Sequence, residues 1–339
     1  MKIHSQIISK AKYEEITHEI KELSLAYSIS WHSLIKKSMN LEILYIASFN
    51  KKKEIVAVMP LIIKKFFFLK LIGSPLRGTH TQRMGPLILH KNQSIDLYEK
   101  IIYSIEKLLK FNYFEIVLTK ESKKNKDFKL NGFNQKKFKT NLIYLISEDQ
   151  NWSQLHSRAR NMVRKAKKNN VKVSLVKINN EWIEVFYNLL EITFLRQNKY
   201  VPHKKEFYKN LINIENNLIC LEAKLEDEFI SGGIFTLDGE KITFLSGVSS
   251  SIGMKLAASS LIQWEIIKYG IEKNFKIYDM GGLGVKSIDK FKLSFGGEVD
   301  YFQKHIKKDF LFTFCEKMFN GIFLKINFYK LKITKLFNL

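Results

Sequence analysis

Cysteine is almost missing from this 339-residue chain, with Cys220 and Cys315 its only two. Two such distant thiols form neither a disulfide framework nor a metal-ligand spacing. Proline occurs four times and glycine sixteen, too little of either for a collagenous or low-complexity chain. No run approaches the roughly 18 apolar residues of a membrane span. The N-terminal MKIHSQIISKAKYEEITHEI lacks the unbroken apolar stretch of a secretory signal, so a soluble, cytoplasmic protein is expected. HExxH, GxSxG, CxxC, GxxxxGK[ST] and GxGxxG do not occur, and the eight histidines are scattered. Neither a metal site nor a Ser-His-Asp hydrolase is expected.

Acid is also in short supply: 33 Asp and Glu against 56 Lys and Arg give a net charge of +23. That excess favours nucleic acid, phosphorylated substrates or a membrane surface as partners, although a coding bias towards Lys, Ile, Asn and Phe would also raise it. Arginine is the scarcer cation, limited to Arg77, Arg83, Arg158, Arg160, Arg164 and Arg196. Since lysine serves here wherever a generic cation will do, these six are candidates for positions needing a planar, bidentate guanidinium.

What the chain does contain is an architectural repeat. Strand-like runs at Glu42–Phe49, Glu54–Ile63 and Phe66–Ile72 precede a helical pattern near Ser94–Lys110 and a short strand, Tyr113–Leu118. The second half matches it with Leu218–Leu225, Phe229–Leu237 and Lys241–Val248, the helix Lys255–Lys273 and the strand Phe275–Met280. Asp238-Gly239 is the hairpin signal between two of these runs. The expected fold class is α/β (α+β) with two tandem units, residues 1–148 and 149–305, and a tail, 306–339, packed back on the first.

At the junction, no acid lies between Asn151 and Asn180, where eight cations fall. Trp152 to Lys168 is expected to form one helix, with Arg160, Arg164 and Lys168 on one face. Such a face is either solvated or holds an anion. The tail, Phe310 to Leu339, alternates aromatics and lysines, a pattern also compatible with a basic amphipathic helix on a membrane.

The stretch from Tyr278 to Glu298, YDMGGLGVKSIDKFKLSFGGE, carries the densest chemistry. Its glycines form either a site-building loop or two tight turns. Asp279, an acid at the end of a short apolar strand, either serves a site or caps the glycine turn. Lys292, beyond the glycines, suits stabilisation of a developing oxyanion.

Several segments together resemble the Fem-type (FemABX) aminoacyltransferases, built from two GNAT folds. They are RARNMVRKAKKNNVKV (158–173), TFLR (193–196), AASSLIQWEIIKYGIEKNFKIYDMGGL (257–283) and FKLSFGGEV (291–299), with RMGPLI (83–88) similar to the family's Arg-Gly-Pro loop. Two departures stand out: Met84 separates Arg83 from Gly85, and Pro202-His203-Lys204 stands where the family places an arginine ahead of a tyrosine, here Tyr208.

The resemblance implies transfer of an aminoacyl group from aminoacyl-tRNA to an amino group of peptidoglycan or another cell-envelope precursor, at the inner face of the membrane, without a bound cofactor. It implies that Phe291-Lys292 is the catalytic pair, with Lys292 and Asp279 acting on the reacting atoms. Phe291, Arg83, Arg158, Arg160, Arg164, Arg196, Tyr208, Gly281 and Gly282 would bind substrate, the arginines of 158–164 holding phosphates. The alternative is an acyl-CoA-dependent N-acyltransferase acting on an envelope sugar or small amine. Its coenzyme A loop has only a weak counterpart in Gly247–Gly253. A third expectation is a non-enzymatic RNA- or membrane-binding protein with steep salt dependence.

Overall fold

The computed structural model describes residues 2–20, 23–89, 94–118, 129–196 and 199–321. The first half runs through β1 (His4–Ile8), α1 (Lys10–His18), α2 (Ile29–Met39), β2 (Glu42–Phe49), β3 (Ile55–Phe66) and β4 (Leu69–Ser74). The two-residue β5 (Leu87–Ile88), α3 (Ile95–Leu108), β6 (Tyr113–Val117) and β7 (Asn134–Tyr144) complete it. Two connecting helices follow, α4 (Glu148–Gln154) and α5 (Ser157–Lys168). The second half then repeats the order with β8 (Lys172–Val176), α6 (Asn180–Leu195), α7 (Lys205–Asn210), β9 (Leu218–Leu225), β10 (Glu228–Asp238) and β11 (Lys241–Ser249). It ends with α8 (Ser251–Lys255), α9 (Ala258–Glu272), β12 (Ile277–Leu283), α10 (Lys286–Leu293) and β13 (Glu298–Lys308), and residues 310–321 are helical.

The thirteen strands of the described residues all join one sheet in the order β1-β2-β3-β4-β6-β13-β7-β12-β11-β10-β9-β8, with β5 beside β3. The order is symmetric about the β13–β7 pair. Each repeat's last strand lies beyond the other's: β13 pairs with β6, and β7 pairs with β12. Two neighbouring pairs are parallel, β4 with β6 and β11 with β12, one in each half.

Alternation along the strands divides the core into layers. Ile62, Tyr113, Cys220 and Ile234 face a cluster built by Trp31 and Ile35 of α2 with Phe186, Phe207 and Tyr208 of α6 and α7. Their neighbours Ile63 and Phe114 turn to a core under α3, and Leu221 and Phe235 to another under α9. Helix α2 of the first half and helices α6 and α7 of the second therefore share one layer. Phe312 of the last helix lies 4.8 Å from Tyr113, ring to ring, and Lys308 pairs with Glu316. The part of the tail from 322 to 339 lies outside the described residues.

Two elements differ from the sequence expectation. The helix expected over 152–168 is broken at Leu155 and His156, both with extended backbone. The break lets Leu155 bury itself to 2% exposure, and the His156 amide donates to Ser294 O at 2.9 Å. The run Phe66–Ile72 is not one strand either: Phe66 closes β3, Phe67 turns with φ of 51°, and Leu69 opens β4.

Candidate active site

Strands β11 and β12 pair only where they begin, Lys241–Thr243 against Ile277–Asp279, and then part. The gap is widened by a bulge in β12. Asp279 sits opposite Leu142 of β7 and Gly282 opposite Thr140, so Met280 and Gly281 together face Asn141. Gly281 takes φ of +80° to make the bulge, a region that glycine enters without steric cost. Its freed N–H donates to Asp279 Oδ1 at 2.8 Å, and the Thr140 hydroxyl donates to the same oxygen. Both bonds fall on Oδ1, which keeps Oδ2 available to the cavity that Asp279 lines.

Lys292 reaches this gap from α10. It is 9% exposed, and its Nζ donates to Gly282 O at 2.8 Å. A methyl group placed on Gly281 would stand 3.4 Å from that Nζ, 3.5 Å from Phe244 O and 3.8 Å from Gln82 Nε2. An ammonium, a carbonyl and an amide thus converge on one backbone position. Burial pushes the Lys292 pKa below the ordinary lysine value, while Asp279 and Asp289 pull it back up. The end of α10 is pinned from β7, where Asn141 Nδ2 donates to Lys292 O at 3.2 Å and Gly296 O at 2.9 Å. Phe291 turns inward, 5.3 Å from Phe295 in the second-half core.

Asp279 forms part of the wall of a cavity of about 230 Å³ that both halves enclose. Trp31 and Gln82 come from the first half, and Asp238, Lys241 and Thr243 from the second. Asp238 accepts from the Leu25 amide at 2.8 Å and Ser24 Oγ at 3.0 Å, tying β10 to the N-terminal segment. Arg83 donates to Asp300 Oδ2 at 2.6 Å and lies over the Phe302 ring. Three aspartates against Arg83 and Lys241 make the cavity slightly acidic in a protein of net charge +23. His80 stacks on Phe207 and packs tilted against His203, and its burial, with His203 beside it, lowers its pKa to about 3, so the imidazole is neutral.

The repeat supplies an internal comparison. Glu115 holds in β6 the place that Asp279 holds in β12, third in a parallel pair. Lys304 of β13 stands to Glu115 as Thr140 of β7 stands to Asp279. In the first half the acid is fully consumed. Glu115 is 0% exposed, accepts from Tyr113 OH at 2.7 Å and the Arg77 amide, and pairs with Lys304 at 3.1 Å. Paired, hydrogen-bonded charge of this kind is structural. In the second half a neutral threonine replaces the cation, a bulge opens the strand, and the acid lines a cavity.

The residues named from sequence divide accordingly. Lys292, Asp279, Gly281 and Gly282 meet at the gap, and Arg83 lies on the same cavity. Tyr208 is buried beside β11, hydrogen-bonded to Ser246, and burial raises its pKa to about 12. The remaining arginines are elsewhere. Arg160 donates to Ser153 O and Leu155 O at the end of α4, and Arg164 lies over Trp152. Arg158 is exposed on α5, and Arg196 donates to Ser251 Oγ at 2.8 Å. Sequence reasoning missed Thr140, Asn141 and Gln82. The visible signal was two polar residues, Thr140-Asn141, at the start of an apolar run where Asn is disfavoured.

No family model and no curated protein matches the sequence. Solved structures do match the fold. The chain is similar to FemX with a TM-score of 0.65 at 16% identity, over 88% of this chain and 96% of that one. It is similar to the C-terminal domain of a putative lysylphosphatidylglycerol synthetase from Agrobacterium fabrum, TM-score 0.56 at 9% identity, over 91% and 95%. A tandem GNAT protein from the clavulanic acid biosynthesis pathway gives 0.51 at 8%, over 91% and 98%. The fold is that of the tandem GNAT acyltransferases. Within that fold the likeness is to FemX.

Proposed function

We propose that this chain is a Fem-type acyltransferase, moving an aminoacyl group from aminoacyl-tRNA to an amino group of a cell-envelope precursor of the peptidoglycan type, at the cytoplasmic face of the membrane. The observation that carries the proposal is the Lys292 ammonium, held in the gap between β11 and β12 next to a carboxylate that lines a cavity. In the reaction the acceptor amine attacks the ester carbonyl carbon, forming the C–N bond. Lys292 stabilises the oxyanion that develops. Asp279 Oδ2 orients the amine and accepts its proton. The C–O ester bond then breaks, and the proton passes to the departing ribose oxygen. Exposed Arg158, Lys165, Lys167, Lys168 and Lys172 on α5 and β8, in a segment without acids, offer cations to the tRNA backbone.

The test is a purified transfer assay with charged tRNA and envelope precursors, read as a mass increment on the acceptor. Lys292→Ala is expected to lower turnover by about 10²–10³ with an unchanged thermal midpoint. Wild-type turnover in that variant would remove Lys292 from the chemistry. Micromolar binding of coenzyme A by calorimetry, with no transfer from charged tRNA, would replace the donor with an acyl-CoA.

A further inference from the structure

At the β3–β4 hairpin three consecutive phenylalanines point into solvent: Phe66 is 54% exposed, Phe67 87% and Phe68 70%. Exposure on this scale is costly, since each ring forgoes the gain of leaving water. The turn does not demand it. Phe67 has φ of 51°, a conformation in which glycine or asparagine is favoured and a bulky aromatic is strained.

A second exposed aromatic group lies at the same end of the molecule. The Lys70 amide donates to Asn112 Oδ1 at 2.7 Å, the Asn112 side chain donates to Asp309 Oδ2 at 2.7 Å, and the Asp309 amide donates to Asn112 O at 3.0 Å. Asn112 therefore brings the foot of β4 against the start of the last helix. There Phe310 is 85% exposed and Phe314 54% exposed, with their rings stacked.

Charge frames both groups. Lys64 and Lys65 precede the phenylalanines, Lys70 follows them, and Lys110 and Lys317 lie on the adjoining segments. The neighbouring acids are engaged: Glu42 with Lys65, Glu316 with Lys308, and Asp309 with Asn112 and the Phe312 amide. Among the described residues Lys64, Lys70, Lys110 and Lys317 have no acidic partner.

We propose that this end of the protein docks on an anionic lipid surface. The rings of Phe66–Phe68, Phe310 and Phe314 enter the headgroup boundary, and the lysines meet lipid phosphates. Projecting rings on a narrow hairpin, rimmed by unpaired cations, fit a soft anionic interface better than a shaped protein groove. The hairpin and the cavity loop, which carries Gln82 and Arg83, are at opposite ends of β4, so docking leaves the cavity open. This inference does not rest on the transfer reaction.

Flotation of the full chain with equimolar phosphatidylglycerol–phosphatidylcholine vesicles tests it, with phosphatidylcholine vesicles as the neutral control. The wild type is expected to bind the anionic vesicles, and added salt to release it. F67S/F68S should lower partitioning about tenfold or more, and F310S/F314S similarly, with circular dichroism unchanged. K64Q/K70Q/K110Q should cost about five-fold per lysine on anionic vesicles and nothing on neutral ones. Equal binding to both vesicle types, or unchanged partitioning of the phenylalanine variants, overturns the proposal. So does a concentration-dependent dimer that F67S/F68S abolishes in the absence of vesicle binding, which would assign the surface to a second copy of the chain.

Discussion

At Gly281 the space around one α-carbon decides where a charge can sit. An alanine methyl would lie 3.4 Å from Lys292 Nζ and would be held at φ of +80°. Strain of that kind costs about 1–3 kcal/mol, and relieving it would move the backbone beside the Gly282 carbonyl that holds the ammonium. Gly281→Ala is therefore expected to reduce turnover at least tenfold, well beyond what its loss of denaturant stability explains. Gly284→Ala is the control, because nothing lies within 4 Å of its added methyl; equal effects in the two variants would refute the argument. Lys292 itself should show in the pH profile. Its folded pKa is lowered mainly by burial, and only the protonated form can stabilise an oxyanion. Activity should fall as pH rises through a value below the ordinary 10.5. The protonated amine is the disfavoured form in the fold, so this residue's contribution to stability rises over the same range. An alkaline loss of activity without unfolding is the expected result, and Lys292→Arg should move that limb upwards. A limb unmoved by the substitution would assign it to another group. At this scale the sequence made Lys292 and Asp279 legible, because a cation and an acid beside clustered glycines already limit the chemistry. Thr140 and Asn141 were hidden, since their roles come from pairing with a strand some 140 residues away.

Among the elements, β7 does the most to build the site, although it belongs to the first repeat. It opposes the bulge in β12, and its Asn141 holds the end of α10 through two carbonyls. Asn141→Leu removes both bonds from a fully buried position, so a loss of roughly 2–4 kcal/mol is expected from unpaired carbonyls and displaced packing. If β7 also positions Lys292, turnover should fall at least tenfold with little change in KM. A variant that loses stability yet keeps full turnover would show that β7 only supports the fold. The repeat itself could be read from runs of apolar residues, and so could most strand limits, because those are local signals. The exchange of β7 and β13 could not, because strand order reflects pairings between distant segments. Helix 152–168 failed for a related reason: its pattern was helical throughout, but burying Leu155 required a break. Pro60 shows the opposite case. It stands inside β3, yet it falls between the rungs to β5 at Ala57-Val58 and those to β4 at Ile62–Phe66, so its missing N–H leaves no gap in either ladder.

For the molecule as a whole, the buried histidines set the acid limit. His32 and His305 are each 1% exposed. Burial lowers both pKa values to about 4, with a hydrogen bond to the Ala26 carbonyl opposing the shift at His32. Burial lowers His203 as well, and His80 further still. Each folded pKa lies below the unfolded value of 6.5, so the unfolded chain binds more protons between the two. Stability is then complete above pH 6.5 and is lost as pH falls towards 4. Each of the two fully buried rings should contribute roughly 2 kcal/mol of that loss by pH 5. Two such rings consume a large part of the 5–15 kcal/mol typical of folded domains. The net charge of +23 acts in the same direction, because each added proton increases self-repulsion. Salt separates the two causes, since it screens repulsion between surface charges but not the desolvation of a buried imidazolium. Urea denaturation at pH 7.5, 6 and 5, at low and high salt, should therefore retain a steep pH dependence at high salt. His32→Gln should lower stability at neutral pH yet flatten that dependence by about one proton. If high salt abolishes the dependence, or if His32→Gln leaves the slope unchanged, the acid limit comes from overall charge and not from the neutral histidines packed in the core.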